Sequence, residues 1–339
     1  MPEVDDDARA TDEPASPEVK LSRRSALASR VRAWAKWMGG QPLWRIALVG
    51  FLVLSAIVMF AATRPTTRPQ PPVISTTPSA SFNPPPANSD LISPPALSAL
   101  TQTIVYLEDK YQTSLGVAIA PIAPAGRAFM RPWTGGSLVT GYAWATADLP
   151  VALAVLREPK EPNDPEYLLT RAFNDSSAAG DLALWQYLGT DTVAAEKTQA
   201  IIVEAGDLNT VVRVNEASAA LAPFGQTRWT LSDQAMFMGS FYCMTESDRV
   251  LTHMRQPSLD DTYGLGLLPS VRVKSGSGTE PNGVDSLRQI ALVEVATGTP
   301  YAVAVSAIAI DGSLATAKAA LNELAPAIAM ITHGMDGYC

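Results

Sequence analysis

The stretch GYAWATADLPVALAVL, residues 141–156, predicts a buried helix that presents its N-terminal end to a site. Its apolar residues recur at helical spacing, at Leu149, Leu153 and Leu156. Pro150 stands where the first turn of a helix tolerates proline, so the helix begins shortly before it. Ala145 and Asp148 lie at this beginning. The side-chain groups at the start of the helix are therefore a methyl group and a carboxylate.

The chain from residue 96 onward alternates between helical and strand periods. The segment ALSALTQTIVYLEDKYQ predicts an amphipathic helix, and the apolar strand SLGVAIAPI follows it. The region from about 145 to 255 is mostly helical, and LRQIALVEV and YAVAVSAIA then predict a hairpin. A last helix, capped by Ser313, is expected to cover the strand face with Ala302 and Ala304. This order predicts an α+β fold: an antiparallel sheet flanked by helices, with a helical insertion.

The first 95 residues differ in composition from the rest of the chain. Residues 1–42 are polar and partly acidic, which predicts a disordered tail. The uncharged run IALVGFLVLSAIVMFAA predicts a transmembrane helix over 43–63, close to the length of about 20 residues that spans a bilayer. Residues 64–95 are rich in Pro, Ser and Thr and predict a semi-extended linker. Residues 96–339 are then the folded domain.

Positive charge is concentrated on the N-terminal side of the apolar run. Lysines and arginines are frequent before it, whereas only Arg64 and Arg68 follow nearby. The positive-inside rule then places the tail in the cytoplasm and the domain 96–339 outside the cell membrane, on a single-pass anchor. A cleaved signal peptide is the alternative, but the charged region ahead of the run is longer than such a peptide carries.

Charge, histidine and cysteine content limit the possible partners and cofactors. A formal net charge of −8 argues against a nucleic-acid partner, which requires a basic face. His253 and His333 are the only histidines, which excludes a metal site built on several histidines, and no cofactor is expected. Cys243 and Cys339 both lie on the predicted outer side, where oxidising conditions favour a disulfide; two free thiols are the alternative.

Three short segments follow one another in the domain: WATADLP from residue 144, NDSSAAGDLALW from 174 and VRVKSGSG from 271. Their order and spacing resemble the Ser-x-x-Lys, Ser-Asp-Asn and Lys-Thr/Ser-Gly motifs of the penicillin-recognising serine enzymes. That superfamily includes the class A β-lactamases and the D-alanyl-D-alanine peptidases. The resemblance covers roughly Leu97–His333. It implies a β-lactamase-like or transpeptidase-like fold.

The first two motifs depart from the family pattern. Ala145 stands at the position of the catalytic serine, and Asp148 stands at that of the lysine. In the second motif Asn174 occupies the serine position, Asp175 is kept, and Ser176 occupies the asparagine position. Because Asn, Asp and Ser are also common helix caps, one of these three residues is alternatively only the cap of the following helix.

The departures remove the chemistry of acyl transfer, which needs a nucleophile with a base in hydrogen-bond reach. Ala145 has no side-chain oxygen, and Asp148 cannot replace the missing lysine. Thr146 is followed three residues later by Leu149, so it has no lysine partner either. Loss of a catalytic nucleophile lowers turnover by about 10⁶ in a comparable serine hydrolase. The sequence therefore predicts a pseudoenzyme.

The third motif keeps the family's residue types. The resemblance implies that it binds the carboxylate of a peptidoglycan stem peptide by charge-assisted contacts. The residues assigned to this role are Lys274, Ser275, Gly276 and Arg288. Alternatively, Lys274 pairs with Asp148 in an ion pair that closes an inert cleft, and the two charged groups then lie within about 4 Å.

Three functions remain open from the sequence. The leading prediction is an anchored, non-catalytic protein that binds peptidoglycan or a protein partner of the cell envelope. The second is a weak serine hydrolase, of the β-lactamase or D,D-peptidase type, that uses Ser176 or Ser275 as an unusual nucleophile. The third is a scaffold whose acidic cytoplasmic tail has a signalling role.

Overall fold

The computed structural model describes six segments of the chain: 92–126, 132–159, 165–214, 223–294, 300–331 and 338–339. They belong to the second of two compact units, Ser81–Cys339. The predicted cytoplasmic tail, the predicted transmembrane helix and nearly all of the predicted linker lie outside the described residues. Of the helices in these segments, none is long and apolar enough to cross a membrane.

A five-stranded antiparallel sheet lies at the centre of this unit, with strand order β2-β1-β7-β6-β5. A second sheet pairs β3 with β4. The strands are β1 Thr113–Ala120, β2 Trp133–Gly136, β3 Thr140–Tyr142, β4 Arg228–Thr230, β5 Arg272–Thr279, β6 Asp285–Val293 and β7 Tyr301–Ala309. The two strands predicted as a hairpin are β6 and β7, and they pair as predicted.

Helices cover both faces of the sheet, which confirms the predicted α+β class. They are α1 Pro94–Tyr111, α2 Asp148–Leu156, α3 Pro165–Leu169, α4 Ala178–Leu188, α5 Asp191–Glu204, α6 Leu231–Phe241, α7 Ser247–His253 and α8 Leu314–Ala329. The spacing in α1 predicts one apolar face with Leu97, Leu100, Ile104 and Leu107. The last three are buried and Leu97 is half-buried. Ser313 caps α8, because its hydroxyl accepts a hydrogen bond from the amide of Thr316 at 3.2 Å.

Helix α8 covers the face of the sheet opposite to the predicted one. Its buried side chains share an apolar cluster with Tyr301, Val303 and Val305. Ala302 and Ala304, on the other face of β7, belong instead to the cluster that contains α6. Helix α6 comes close to the sheet at Gly239, where an added Cβ would lie 3.8 Å from the Cβ of Ala302. The small residues of β7 therefore accommodate α6, and the large ones fill the space beneath α8.

Helix α2 is the centre of the helical part. All nine of its residues are buried, and α4, α5 and α7 contact it. Its N-terminal end is held against the edge strand β5 by the turn that precedes it. Burial on all sides explains why the predicted helix has no polar stripe. The packing therefore places the N-terminal end of α2 beside β5, the strand that contains most of the third sequence motif.

Candidate functional site

The chain enters α2 through one turn of 3₁₀ helix, Trp144–Ala147. Trp144 has a φ angle of +49°, in the left-handed region that residues other than glycine seldom occupy. Such strained positions cluster at functional sites, where surrounding contacts hold them. One such contact is the hydrogen bond that the Trp144 indole N–H donates to Ser286 Oγ at 2.8 Å. Ala145 follows directly, so the turn is fixed but presents a methyl group.

Asp148 and Lys274 form a buried ion pair. The distance from Lys274 Nζ to Asp148 Oδ2 is 3.0 Å, and the two side chains are 2% and 0% exposed. The ammonium also donates a hydrogen bond to the Ala172 carbonyl oxygen at 2.5 Å. It lies 5.0 Å from the centroid of the Phe173 ring, within cation–π range. The pairing of Lys274 with Asp148, within the predicted limit of about 4 Å, is therefore confirmed.

Burial and neighbouring charges shift the pKa values of this cluster. Burial, reinforced by repulsion from Asp181, raises the pKa of Asp148 well above its usual range, and Lys274 offsets this only in part. Burial also raises the pKa of Asp181. Burial alone would lower the pKa of Lys274, but attraction to Asp148, Asp181 and Asp261 outweighs it and the net shift is upward. Lys274 is thus held as an ammonium between carboxyl groups that compete for a proton.

A cavity of about 400 Å³ lies beside the head of α2. Its size falls within the range of about 300–1,000 Å³ that is usual for ligand pockets. Five residues that the sequence analysis singled out line it, together with Asp181: Ala145, Ser176, Lys274, Ser275 and Gly276. Lys274 lines the cavity, whereas Asp148 is not among the described lining residues. Side chains therefore do not fill the cleft, and the expectation that the ion pair closes it is wrong.

Asn174 and Asp175 are not among the described residues that line this cavity. The Asn174 amide donates hydrogen bonds to the carbonyl oxygens of His253 at 3.1 Å and Gln256 at 2.6 Å, so it ties the segment before α4 to α7. Asp175 is exposed. The cap of α4 is Ser177, whose hydroxyl accepts from the Gly180 amide at 3.1 Å. The prediction that one of residues 174–176 caps this helix is therefore wrong by one position.

Ser176 does line the cavity. Its φ angle is +45°, a second strained position at the site. Its hydroxyl donates a short hydrogen bond to the Asp261 carboxylate and accepts one from Ser258 Oγ at 2.8 Å. Three side chains from two segments thus hold one another at the wall of the cavity.

Ser275 and Gly276 lie on β5, beside the turn that leads into α2. Ser275 is 4% exposed, and its hydroxyl accepts a hydrogen bond from the Gln289 amide at 2.9 Å. At Gly276 an added Cβ would lie 2.6 Å from the backbone nitrogen of Ala145, closer than real Cβ contacts. Glycine is therefore required for β5 to approach the head of α2 this closely.

Arg288 is placed in the core, away from the described lining of the cavity. Its Nη1 donates to the Trp229 carbonyl oxygen at 2.9 Å and to Gln234 Oε1 at 3.1 Å, and burial lowers its pKa to about 10. Gln234 in turn donates to Thr146 Oγ1 at 2.7 Å, and Thr146 donates to the Ala143 carbonyl at 2.5 Å. Arg288 thus supports the turn before α2, and the Thr146 hydroxyl is buried within this network.

Sequence reasoning missed several lining residues, of which five are ionisable: Asp181, Asp260, Asp261, Tyr263 and Lys318. The sequence did not mark Asp181, because its helical neighbour Ala178, three positions earlier on α4, is itself known as a lining residue only from the structure. The others come from the irregular segment between α7 and β5 and from α8, which only the tertiary fold brings together. In the described part of the chain, no group of three or more His, Cys, Asp or Glu side chains is arranged to hold a metal ion.

Cys243 and Cys339 form a disulfide, with their Cα atoms 5.2 Å apart. The bridge joins the chain just after α6 to the C-terminal residue, across a sequence separation of 96. In the chain-entropy model a loop of this length gives about 4–5 kcal/mol of stabilisation. The predicted pairing is therefore present in the structure.

No protein-family model matches the chain, and no curated protein matches it. Solved structures do. TLA-3 extended-spectrum β-lactamase aligns with a TM-score of 0.54 and 14% identity, over 69% of this chain and 98% of that structure. A variant of the class A β-lactamase of the last common ancestor of Gram-negative bacteria aligns at 0.53 and 18% identity, over 68% and 97%.

The chromosome-encoded β-lactamase of Vibrio parahaemolyticus also aligns, with a TM-score of 0.52 and 14% identity, over 68% of this chain and 97% of that one. Identities this low carry no information about activity, whereas coverage of nearly the whole of each enzyme leaves the architecture in no doubt. The likeness therefore shows the fold alone, and the folded unit of this chain has the fold of the class A β-lactamases.

Proposed function

We propose that this chain is a membrane-anchored, extracytoplasmic β-lactamase-like protein that binds a ligand in its cleft without being acylated by it. The observation that carries the proposal is a cavity of about 400 Å³ with Ala145 at its wall, where an acylating relative needs a serine. Binding needs only shape and polar contacts, whereas acyl transfer needs a nucleophile and a base. The cavity supports the first requirement, and Ala145 at the serine position supports the absence of the usual nucleophile.

The proposed ligand is a peptidoglycan stem peptide or an extended segment of an envelope protein. Two observations support an extended chain. Strand β5 is at the edge of the sheet and also contributes Lys274, Ser275 and Gly276 to the cavity wall. An edge strand has unpaired backbone groups that can pair with an added strand, while side-chain pockets give specificity.

Titration with a soluble muropeptide that carries a pentapeptide stem tests this proposal. The purified full-length chain in detergent should bind it, and Ala178→Trp should weaken binding at least about tenfold by filling the cavity mouth. Ala179→Trp is the matched control, because Ala179 is the adjacent exposed residue of α4 and is not among the described lining residues. Absence of binding at millimolar peptide, or equal loss in both variants, contradicts the proposal.

The location of the domain is part of the proposal and has its own test. The uncharged run within 43–63 and the positive charges before it support a cytoplasmic N-terminus and an outer domain. Protease added to intact spheroplasts should degrade the domain 96–339 and leave the N-terminal tail protected. A protected domain, or release of the chain from membranes by alkaline carbonate, would contradict this arrangement.

A weak serine hydrolase is the second candidate function, and one contact favours it. Ser176 lines the cavity, and its hydroxyl donates a hydrogen bond to the Asp261 carboxylate. A hydroxyl group and a hydrogen-bond acceptor are therefore adjacent there. Lys274 does not assist, because its ammonium is engaged by Asp148 and the Ala172 carbonyl. This candidate predicts slow cleavage of a β-lactam that disappears in Ser176→Ala.

A further inference from the structure

We propose that the cavity recognises a positively charged organic ammonium group, and not the carboxylate that its family resemblance implies. This inference rests on the proposed function and names the chemistry of its ligand. It follows from which charges at the cavity are already paired, which are not, and which aromatic rings lie beside them.

The cations that the resemblance assigns to a ligand carboxylate are both buried. Lys274 is 1% exposed and forms an ion pair with Asp148. Arg288 is also 1% exposed, contacts Trp229 and Gln234, and does not belong to the described lining. A carboxylate entering the cavity would therefore have to break a buried ion pair to reach the Lys274 ammonium, which is strongly unfavourable. Lys318 is the other lysine of the described lining, and its ammonium already contacts the Tyr263 ring and the Asp260 carbonyl oxygen.

The carboxyl groups that line the cavity differ from Lys274, because they form no direct ion pair with a described lysine or arginine. Asp181, Asp260 and Asp261 line it, and no Lys or Arg in the described segments forms an ion pair with any of them. Asp181 is half-buried, shares a hydrogen bond with the Asp148 carboxyl group and attracts the Lys274 ammonium without a direct ion pair. Asp261 is 7% exposed, and its described side-chain partner is the Ser176 hydroxyl. Because a buried carboxylate without a direct ion pair is unfavourable, a ligand cation beside Asp261 would reduce the cost of its burial.

Aromatic rings at the wall select an organic cation. Trp144, Phe224 and Tyr263 line the cavity together with the carboxylates. Faces of such rings attract ammonium groups, and the combination of rings with acids is typical of sites for organic cations. A metal ion would instead need several oxygen ligands around one point, and the described residues contain no such group of acids.

The protein itself places one ammonium at this wall. Lys318 of α8 lines the cavity, and its Nζ lies 4.6 Å from the centroid of the Tyr263 ring and 3.4 Å from the Asp260 carbonyl oxygen. It is a half-buried side chain on a flexible stem, so a ligand ammonium can displace it. Lys318 thus shows which contacts a bound ammonium would make.

Two matched probes test the inference on the full-length chain by calorimetric titration. Nα-acetyl-lysine methylamide carries one ammonium, and Nα,Nε-diacetyl-lysine methylamide has nearly the same shape without the charge. The charged probe should bind at least about tenfold more tightly, and its affinity should fall as salt is raised. N-acetyl-D-alanyl-D-alanine, a carboxylate probe, should bind no better than the uncharged one.

The variant Lys318→Gln distinguishes a cationic from an anionic ligand, because it should change the binding affinity in opposite directions for the two. It removes a competing ammonium, so it should tighten binding of the charged lysine probe about threefold. Asp260→Asn should weaken that binding by a similar factor. Asp248→Asn is the control, because Asp248 is exposed on α7 and outside the described lining.

Opposite results overturn the inference without touching the proposed function. If N-acetyl-D-alanyl-D-alanine binds more tightly than the lysine probe, and Lys318→Gln weakens it, the cleft recognises carboxylates. If the muropeptide binds but neither charge nor salt changes its affinity, the inference is wrong and the proposed function stands. If neither the probes nor the muropeptide bind, both are wrong.

Discussion

Replacement of Lys274 by methionine removes the ammonium that interacts with the carboxyl groups of Asp148 and Asp181 in the described structure. Asp148 is 0% exposed, and its nearest cation in the described structure is Lys274 at 3.0 Å. Methionine keeps the length and apolar stem of lysine, so the substitution changes charge more than volume. Removing one partner of a buried ion pair costs about 3–5 kcal/mol, against a total stability of about 5–15 kcal/mol for a typical domain.

The sign of the pH dependence follows from the raised pKa values of Asp148 and Asp181. Without Lys274 these values rise further, so the native state binds more protons than the unfolded state over the interval between the unfolded and native values. Stability of Lys274→Met therefore falls as pH rises through that interval, and its deficit should be larger at about pH 8 than at about pH 5. Asp148→Asn should cost less than Lys274→Met, because Asp181 remains as a counter-charge for the ammonium.

Urea unfolding followed by tryptophan fluorescence measures these differences at several pH values. Adding Asp148→Asn to Lys274→Met should restore part of the lost stability, since it removes one of the stranded carboxyls. The matched control is Glu204→Gln, which breaks the surface pair Arg157–Glu204 at 2.6 Å and should cost less than about 1 kcal/mol. A pH-independent loss in Lys274→Met, or one no larger than in the control, would refute the reasoning.

Three further predictions concern the frame of the site. Cys243→Ser should lower the free energy of unfolding by about 2–5 kcal/mol, and reduction of the unmutated chain should lower its melting temperature. Gly276→Ala should cost about 1–3 kcal/mol in the same assay, because the new Cβ would lie 2.6 Å from the Ala145 nitrogen. Ser177→Ala should cost about 1 kcal/mol through loss of the α4 cap, seen as a lower urea midpoint. Unchanged stability in any of the three contradicts the corresponding contact.

The elements that sequence reasoning predicted best are those with strong local signals. The α1 stripe at Leu100, Ile104 and Leu107 and the cap at Ser313 need only spacing and hydrogen-bond chemistry within one segment. The same holds for β6 and β7, whose alternation and turn residues are local. The prediction of the sheet face that α8 covers was wrong, because small residues on a strand do not indicate which of two helices packs against them.

The site was less predictable because its chemistry depends on contacts between distant segments. The family resemblance of the segment after the third motif suggested a ligand role for Arg288, yet the fold places this side chain against Trp229 and Gln234 in the core. The pairing of Lys274 with Asp148 was foreseen only as one of two alternatives. The aspartates that line the cavity were not predicted; Asp261, for example, lies on an irregular segment that has no periodicity.

Exposure of the chain to a penicillin, followed by intact-mass spectrometry of protein and drug in one run, tests the central claim most directly. The full-length chain should keep its mass and leave the drug intact, because Ala145 offers no oxygen to the β-lactam carbonyl. A penicillin-binding protein treated in parallel should gain the mass of one drug molecule. A stoichiometric adduct on Ser176 or Ser275, or catalytic loss of the drug, would show that the cleft still performs acyl transfer.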